Sequence, residues 1–182
     1  VIAYATQGGI GLPDRDYYTR TDEESQKTRE QYLEHVAAML QLLGDSPETA
    51  TAAAAKILAL ETRLAQASLT NVELRNPANY YNIMTVPDAD KASPNFSWTA
   101  YFKGIGYPEI ARFSYAHPKF FAAMDSLLVE TPLAEWKDYL RWHLVHTYAP
   151  YLSSPFVNEN FRFYAATLSG TKELRPRWKR VL

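Results

Sequence analysis

Proline recurs in this chain where a helix would begin, and no other feature of the sequence constrains the fold as tightly. Its ring fixes φ and removes the N–H, so it breaks a helix from inside but fits the first turn, whose donors lack partners anyway. Ser46-Pro47-Glu48, Thr131-Pro132 and Ser154-Pro155 each set it beside a hydroxyl suited to capping. Asn76-Pro77 and Thr85-Val86-Pro87 repeat the arrangement over shorter stretches, and Pro118 and Pro176 stand where further helices open. Pro150 follows an apolar stripe and is expected to kink or end its helix. A chain punctuated in this way folds into many helices of limited length.

Apolar spacing fills in those helices. Thr21 is placed to cap one whose first turn holds Asp22, Glu23 and Glu24, and whose face carries Tyr32, Val36, Leu40 and Leu43 until Gly44 stops it. The alanines at 52–55 combine high helix propensity with little bulk, which suits close helix approach, and Ile57, Leu60 or Glu61, and Leu64 continue their face. An antiparallel hairpin across Gly44-Asp45-Ser46 is expected. From 75 to 107 the signals shorten, with Ser93-Pro94-Asn95 ahead of Trp98, Tyr101 and Phe102, and this stretch is the candidate hinge. Alternation at 110–115 permits one short extended piece, too little for a sheet alone.

Three helices follow. The first carries Phe121, Met124 and Leu128; the second carries Leu133, Trp136, Leu140 and Leu144 on one stripe with Tyr139, Trp142 and Val145 beside it. So wide a stripe predicts burial on two sides. The third spaces Phe156, Asn160, Phe163 and Thr167 toward Gly170. The fold class is therefore all-α with at most one extended piece. It divides into 1–75 (loop plus helical hairpin), 76–107 (short helices and hinge) and 108–182 (a helical lobe truncated in its last helix).

Composition excludes several functions. No apolar run approaches the roughly 20 residues needed to span a membrane. A net charge of −1 argues against nucleic-acid binding, and Lys172, Arg175, Arg177, Lys179 and Arg180 form a local basic tail. Without cysteine there is no disulfide or thiol chemistry.

Two groups invite a sharper reading. His143 and His146, at i and i+3, have a spacing that suits two metal ligands, but no acid follows at ligand distance, so they read as hydrogen-bonded core histidines. Asp14-Arg15-Asp16 before Tyr17-Tyr18 reads as a guanidinium fixed between two carboxylates in a structural loop, with substrate contact as the other reading. Gly8, Gly9 and Gly11 make no phosphate loop, because no Gly-Lys-Ser/Thr follows. The aromatic stripes read as core.

Blocks along most of the chain carry a resemblance. They are Gly9-Ile10-Gly11-Leu12-Pro13-Asp14-Arg15-Asp16-Tyr17-Tyr18, Tyr32-Leu33-Glu34-His35, Leu60-Glu61-Thr62-Arg63, Arg75-Asn76-Pro77, Phe96-Ser97-Trp98, Tyr139-Leu140-Arg141-Trp142 and Pro176-Arg177-Trp178-Lys179-Arg180. Their order resembles the N-terminal half of the neprilysin-type zinc metallopeptidases, and most of all the bacterial oligopeptidase O branch. Members of that family carry His-Glu-x-x-His and a downstream Glu-x-x-x-Asp, which hold zinc and activate its water. Neither motif occurs here. Ala78-Asn79-Tyr80-Tyr81 imitates the family's substrate-binding Asn-Ala-Tyr-Tyr in the wrong order and place, so no catalytic, cofactor or metal residue is assigned.

The resemblance implies a parent enzyme that hydrolyses peptides of limited length with zinc held elsewhere, this stretch serving as wall and scaffold and being inactive alone. A non-catalytic all-α binding module is the alternative. Val1 in place of Met and the short final helix lead to the expectation of a piece of a larger protein. The implied partners are the remaining catalytic portion, peptide substrates through it, and further copies meeting at truncated surfaces that include Trp136, Trp142, Trp178, Val181 and Leu182. Family and absent cysteine favour a bacterial, extracytoplasmic source, with the cytoplasm open.

Overall fold

The computed structural model describes residues 2–180, and its helices begin where proline and capping residues place them. After the single turn α1 (Asp16–Thr19) comes α2 (Glu23–Leu42), capped by Asp22 and not by Thr21. The Asp22 carboxylate accepts the Ser25 N–H at 3.0 Å, a charge-assisted bond at the positive helix end that a threonine hydroxyl cannot match. At the other end Gly44 takes a φ of 104°, which lets Asp45 N–H return to the Leu40 carbonyl and Gly44 N–H to that of Gln41. Helix α3 (Pro47–Ala67) then opens on Ser46, whose hydroxyl accepts the Thr49 N–H.

Shorter elements follow the same rule. Asn76 caps the 3-10 turn Pro77–Tyr80, Thr85 caps α4 (Val86–Ala92) and Ser97 caps α5 (Trp98–Gly104). Then come α6 (Pro118–Glu130) and α7 (Leu133–Tyr148), which tightens at Pro150 into the 3-10 turn Ala149–Tyr151. Helix α8 (Ser154–Asn160) runs on as a wide π-helical segment, Phe161–Thr167, and a last turn, α9, spans Arg177–Arg180. Val181 and Leu182, counted in the apolar spacing of that last helix, lie outside the described residues.

The fold is helical, as expected, but the limit of one extended piece is exceeded. The alternating stretch at 110–115 contains β3 (Arg112–Tyr115), which is the centre of a three-stranded sheet ordered β1-β3-β2. Strand β1 (Tyr4–Ala5) pairs with it in parallel and β2 (Ile83–Thr85) antiparallel, with Tyr4 opposite Ser114 and Met84 opposite Phe113. Strands of two and three residues are too short to show an alternating pattern, which is why the sequence conceals them.

The chain groups into two compact units, each discontinuous in sequence. Val1–Thr19 joins Leu60–Leu133, and Arg20–Ala59 joins Ala134–Leu182. The sequence-based divisions at 75 and 107 mark punctuation along the chain; the units reflect which elements return to share a core. In the first unit Trp98 packs on Phe113 and Phe121 at ring distances of 4.8 and 5.2 Å and donates its indole N–H to Ser93 Oγ. The buried Asp125 carboxylate accepts both the backbone and side-chain N–H of Asn95.

In the second unit the core gathers Tyr32, Val36, Met39 and Leu40 of α2 with Trp142 and Val145 of α7 and Phe163 of the π-segment. The expectation that α7 is buried on two sides is corrected here. Tyr139, Trp142 and Val145 are buried, Trp136 is half-buried, but Leu133, Leu140 and Leu144 are each more than 60% exposed. An apolar stripe records that a face avoids water; it does not say whether the cover comes from this stretch of chain.

Candidate functional site

The loop singled out by its glycines and charges is locked onto a buried acid in the first unit. Gly9 turns the chain at a φ of 74°, and Tyr18 on α1 then points its hydroxyl inward. That oxygen accepts the N–H of Gly11 at 3.1 Å and of Leu12 at 2.9 Å and donates to Glu61 Oε2 at 2.7 Å. A phenol has one proton and two lone pairs, so these three bonds saturate it. Glu61 is wholly buried on α3, where apolar spacing places a carboxylate that only donors make tolerable.

Arg15 does not bridge Asp14 and Asp16. Its Nη1 donates to the Ser68 carbonyl at 3.0 Å, just past the end of α3, where the helix dipole favours a cation. Asp14 is occupied otherwise: one oxygen accepts the Asp16 N–H at 2.8 Å, and the other accepts the Asn71 amide at 3.0 Å. Capping the short α1 satisfies a backbone donor, which a carboxylate spent on Arg15 would leave without a partner.

The four histidines are dispersed over the two units, His117 in the first and His35, His143 and His146 in the second. Among the described residues no three His, Cys, Asp or Glu side chains converge as ligands. In the first unit His117 accepts the Gln7 N–H on Nδ1 at 2.9 Å, its ring edge-on to Tyr80, and burial holds its pKa below the ordinary imidazole value. In the second unit His143 and His146 lie 6.4 Å apart with rings nearly perpendicular. His143 packs on Tyr139, and His146 lies between Trp142 and Tyr164. This is aromatic packing along α7.

Sequence reasoning missed the most polarised group in the second unit. His35 on α2 is wholly buried, and its Nδ1 lies 2.7 Å from Glu159 Oε1. Arg162 grips the same carboxylate through Nε and Nη2 at 2.7 and 2.6 Å. Burial pushes the His35 pKa down, and the Glu159 bond only partly restores it. For Glu159 burial pushes upward, but the bonds from His35 and Arg162 outweigh it and hold the carboxyl below its usual range. The ring stacks on Phe163 at 4.8 Å and meets Trp142 and Tyr164 edge-on. The available signal was His35 between Tyr32 and Val36 on the buried face; nothing local points to Glu159.

The first unit also bears an open groove of about 550 Å³ beside α5, lined by Val86, Pro87, Phe102, Ile110 and Lys103 among others. Lysine is its one titratable lining residue, so it presents no acid–base pair for catalysis.

The N-terminal profile of peptidase family M13 matches residues 1–182. Endothelin-converting enzyme 1 of Cavia porcellus is 26% identical over 183 residues, an overlap that takes in 98% of this chain and 24% of that protein. The zinc metalloprotease Zmp1 of Mycobacterium tuberculosis, solved with an inhibitor, superposes with a TM-score of 0.90 at 34% identity, covering 96% of this chain and 27% of that one. PepO from Lactobacillus rhamnosis HN001 shares the fold, with a TM-score of 0.77 at 21% identity over 99% of this chain and 30% of that one. The chain spans about a quarter of the length of the relatives it matches.

Proposed function

The chain belongs to peptidase family M13, and we propose that it is a helical, non-catalytic part of a zinc metalloendopeptidase that hydrolyses oligopeptides. In this reading the segment supplies wall and scaffold around an active site formed by the rest of the parent protein. The observation that carries the proposal is the agreement in sequence and fold, over nearly the whole chain, with a zinc metalloprotease. The histidines here are committed to packing and hydrogen bonds, and the sequence has no His-Glu-x-x-His. The zinc ligands and the glutamate that activates water therefore belong to residues outside 1–182. An extracytoplasmic site of action goes with the family reading; the structure contributes only that no described helix is long and apolar enough to cross a membrane.

Two measurements test this. Elemental analysis of the dialysed 182-residue protein is expected to find zinc well below one per chain, and flexible peptides are expected to survive incubation with it. Stoichiometric zinc that disappears on replacing His143 or His146 with alanine, or chelator-sensitive cleavage by contaminant-free protein, overturns the proposal. The parent protein should bind one zinc and cleave the same peptides.

The exposed stripe of α7 favours a second reading, that of an interaction module, and the two are compatible if the partner is the remainder of the parent. Leu140 and Leu144 are followed on the same side by Tyr148 and Tyr151, all exposed. Burying two leucines contributes about 1.5–3 kcal/mol each, so the isolated chain is expected to self-associate through this face. Changing both leucines to lysine should weaken that association by a factor of roughly a hundred or more. Sedimentation equilibrium reads the result. A wild-type monomer at high concentration that binds no hydrophobic dye rules the face out as an interaction surface.

A further inference from the structure

The His35 cluster lies outside everything the peptidase reading uses, and its chemistry is asymmetric. With Glu159 ionised, the proton of neutral His35 belongs on Nδ1, donated to Oε1 at 2.7 Å. That leaves Nε2 buried with no hydrogen-bond partner. A second proton must go to this nitrogen, among Phe163, Trp142 and Tyr164, where no acceptor among the described residues is in reach. Two of those three rings stand on the π-helical segment Phe161–Thr167, which begins two residues after Glu159. Wide turns of this kind carry one residue more than an α-helix accommodates and are often functional.

We propose that the Arg162–Glu159–His35 chain is an acid-sensitive latch that clamps the π-helical segment Phe161–Thr167 to α2 and releases it when His35 takes a second proton. Neutral His35 ties α2 to Glu159, Glu159 is fixed by Arg162 one turn on, and Phe163 and Tyr164 cover the ring. The protonated ring needs an acceptor on Nε2, and water reaches that atom only when the segment lifts away. The other charged or titratable groups around it include Glu34 on α2, whose field reaches Arg162, Tyr32 on α2, which packs on Trp142 and Phe163, and His143 and His146 on α7, with Tyr164 on the segment itself. Among the described residues none of them makes a hydrogen bond to Nε2 that would hold the imidazolium in place.

The direction with pH follows from burial. The folded His35 pKa lies below the ordinary value of 6.5, so the unfolded or opened chain binds more protons in the window beneath it. The latch is closed above pH 6.5 and weakens as pH falls through the folded pKa. The carboxylates that cap helices, such as Asp22 and Glu73, are also depressed, but they lose their contribution only near and below their ordinary values of 3.8 and 4.5. The two responses are therefore separable.

Hydrogen exchange on the intact chain between pH 7.5 and 5.5, corrected for intrinsic rates, is the test. Opening of residues 161–167 is expected to rise by up to about tenfold per pH unit below 6.5, the limit for uptake of one proton. In His35→Phe the acid-dependent part of that rise should vanish, while any response around His117 in the first unit persists. Equal acid sensitivity in wild type and variant, or none in the wild type, overturns the proposal. Should His35→Phe fail to fold, Glu159→Gln decides: it removes the charge that partly restores the folded His35 pKa, so the gap to the opened value widens and the acid-driven rise in opening should continue to lower pH than in wild type, and a rise that levels off at the same pH refutes the latch.

Discussion

Replacing Trp142 with alanine is expected to lower stability by about 3–5 kcal/mol, the range for removing a fully enclosed large aromatic side chain. Trp142 is wholly buried, and its indole N–H donates to the Tyr32 hydroxyl at 3.0 Å. Its ring meets Tyr32 and His35 edge-on at 5.9 and 5.5 Å. Alanine opens a cavity between α2 and α7 and takes away the Tyr32 hydroxyl's indole donor, so transfer and cavity costs add. Urea unfolding followed by circular dichroism at pH 7.5 measures the effect, and Tm should fall by roughly 6–20 °C. Trp178→Ala, at an exposed site, should stay within about 0.5 kcal/mol and serves as the control. A loss below about 1 kcal/mol at Trp142 would mean that this core is not packed as described.

The helix starts were legible because their cause is local. A proline without an N–H and a hydroxyl or carboxylate that accepts one act within a single turn, so Ser46, Asn76 and Thr85 cap as their sequence suggests. Two starts differ: Asp22 caps α2 in place of Thr21, a competition between adjacent acceptors that the carboxylate wins on charge, and Ser154 lies inside α8, whose cap position is Ser153. Strands β1 and β2 were illegible for the opposite reason. Their stability comes from pairing with β3, far away in sequence, and two or three residues carry no period of their own. The same holds for α7, whose stripe implied burial on two sides: Trp142, expected among the surfaces left bare, is wholly buried with Tyr139 and Val145, while Leu133, Leu140 and Leu144 are exposed.

Side-chain clusters divide along the same line. Apolar spacing offered Leu60 or Glu61 for the buried face of α3 and set Tyr32 and Val36 on that of α2, and the structure encloses Glu61 in the one and His35 beside the other. Spacing could not supply their partners. Glu61 meets Tyr18, 43 residues earlier, and His35 meets Glu159, 124 residues later. A buried charge announces that a partner exists, because an unpaired one would cost several kcal/mol. Its identity depends on the path of the chain. Where family resemblance and local chemistry agreed on the loop at 9–18 they located a structural element, yet the guanidinium assigned to Asp14 and Asp16 reaches the end of α3 instead.

Tyr18→Phe carries that argument to a measurement. The substitution keeps the ring, which is nearly enclosed, and removes one oxygen that serves three hydrogen bonds. Losing it withdraws an acceptor from Gly11 and Leu12 and a donor from a fully buried Glu61 carboxylate. Each withdrawn partner of a buried polar group costs about 1–3 kcal/mol, and loop relaxation recovers part of it. The expected loss is about 2–4 kcal/mol, or a Tm lower by roughly 5–15 °C. Pairing it with Glu61→Gln gives the coupling: an amide still receives the phenol proton but carries no buried charge, so Tyr18→Phe should cost less in that background. Equal costs in both backgrounds would show that the tyrosine holds the loop without stabilising the carboxylate, and a change below about 0.5 kcal/mol would remove the loop lock altogether.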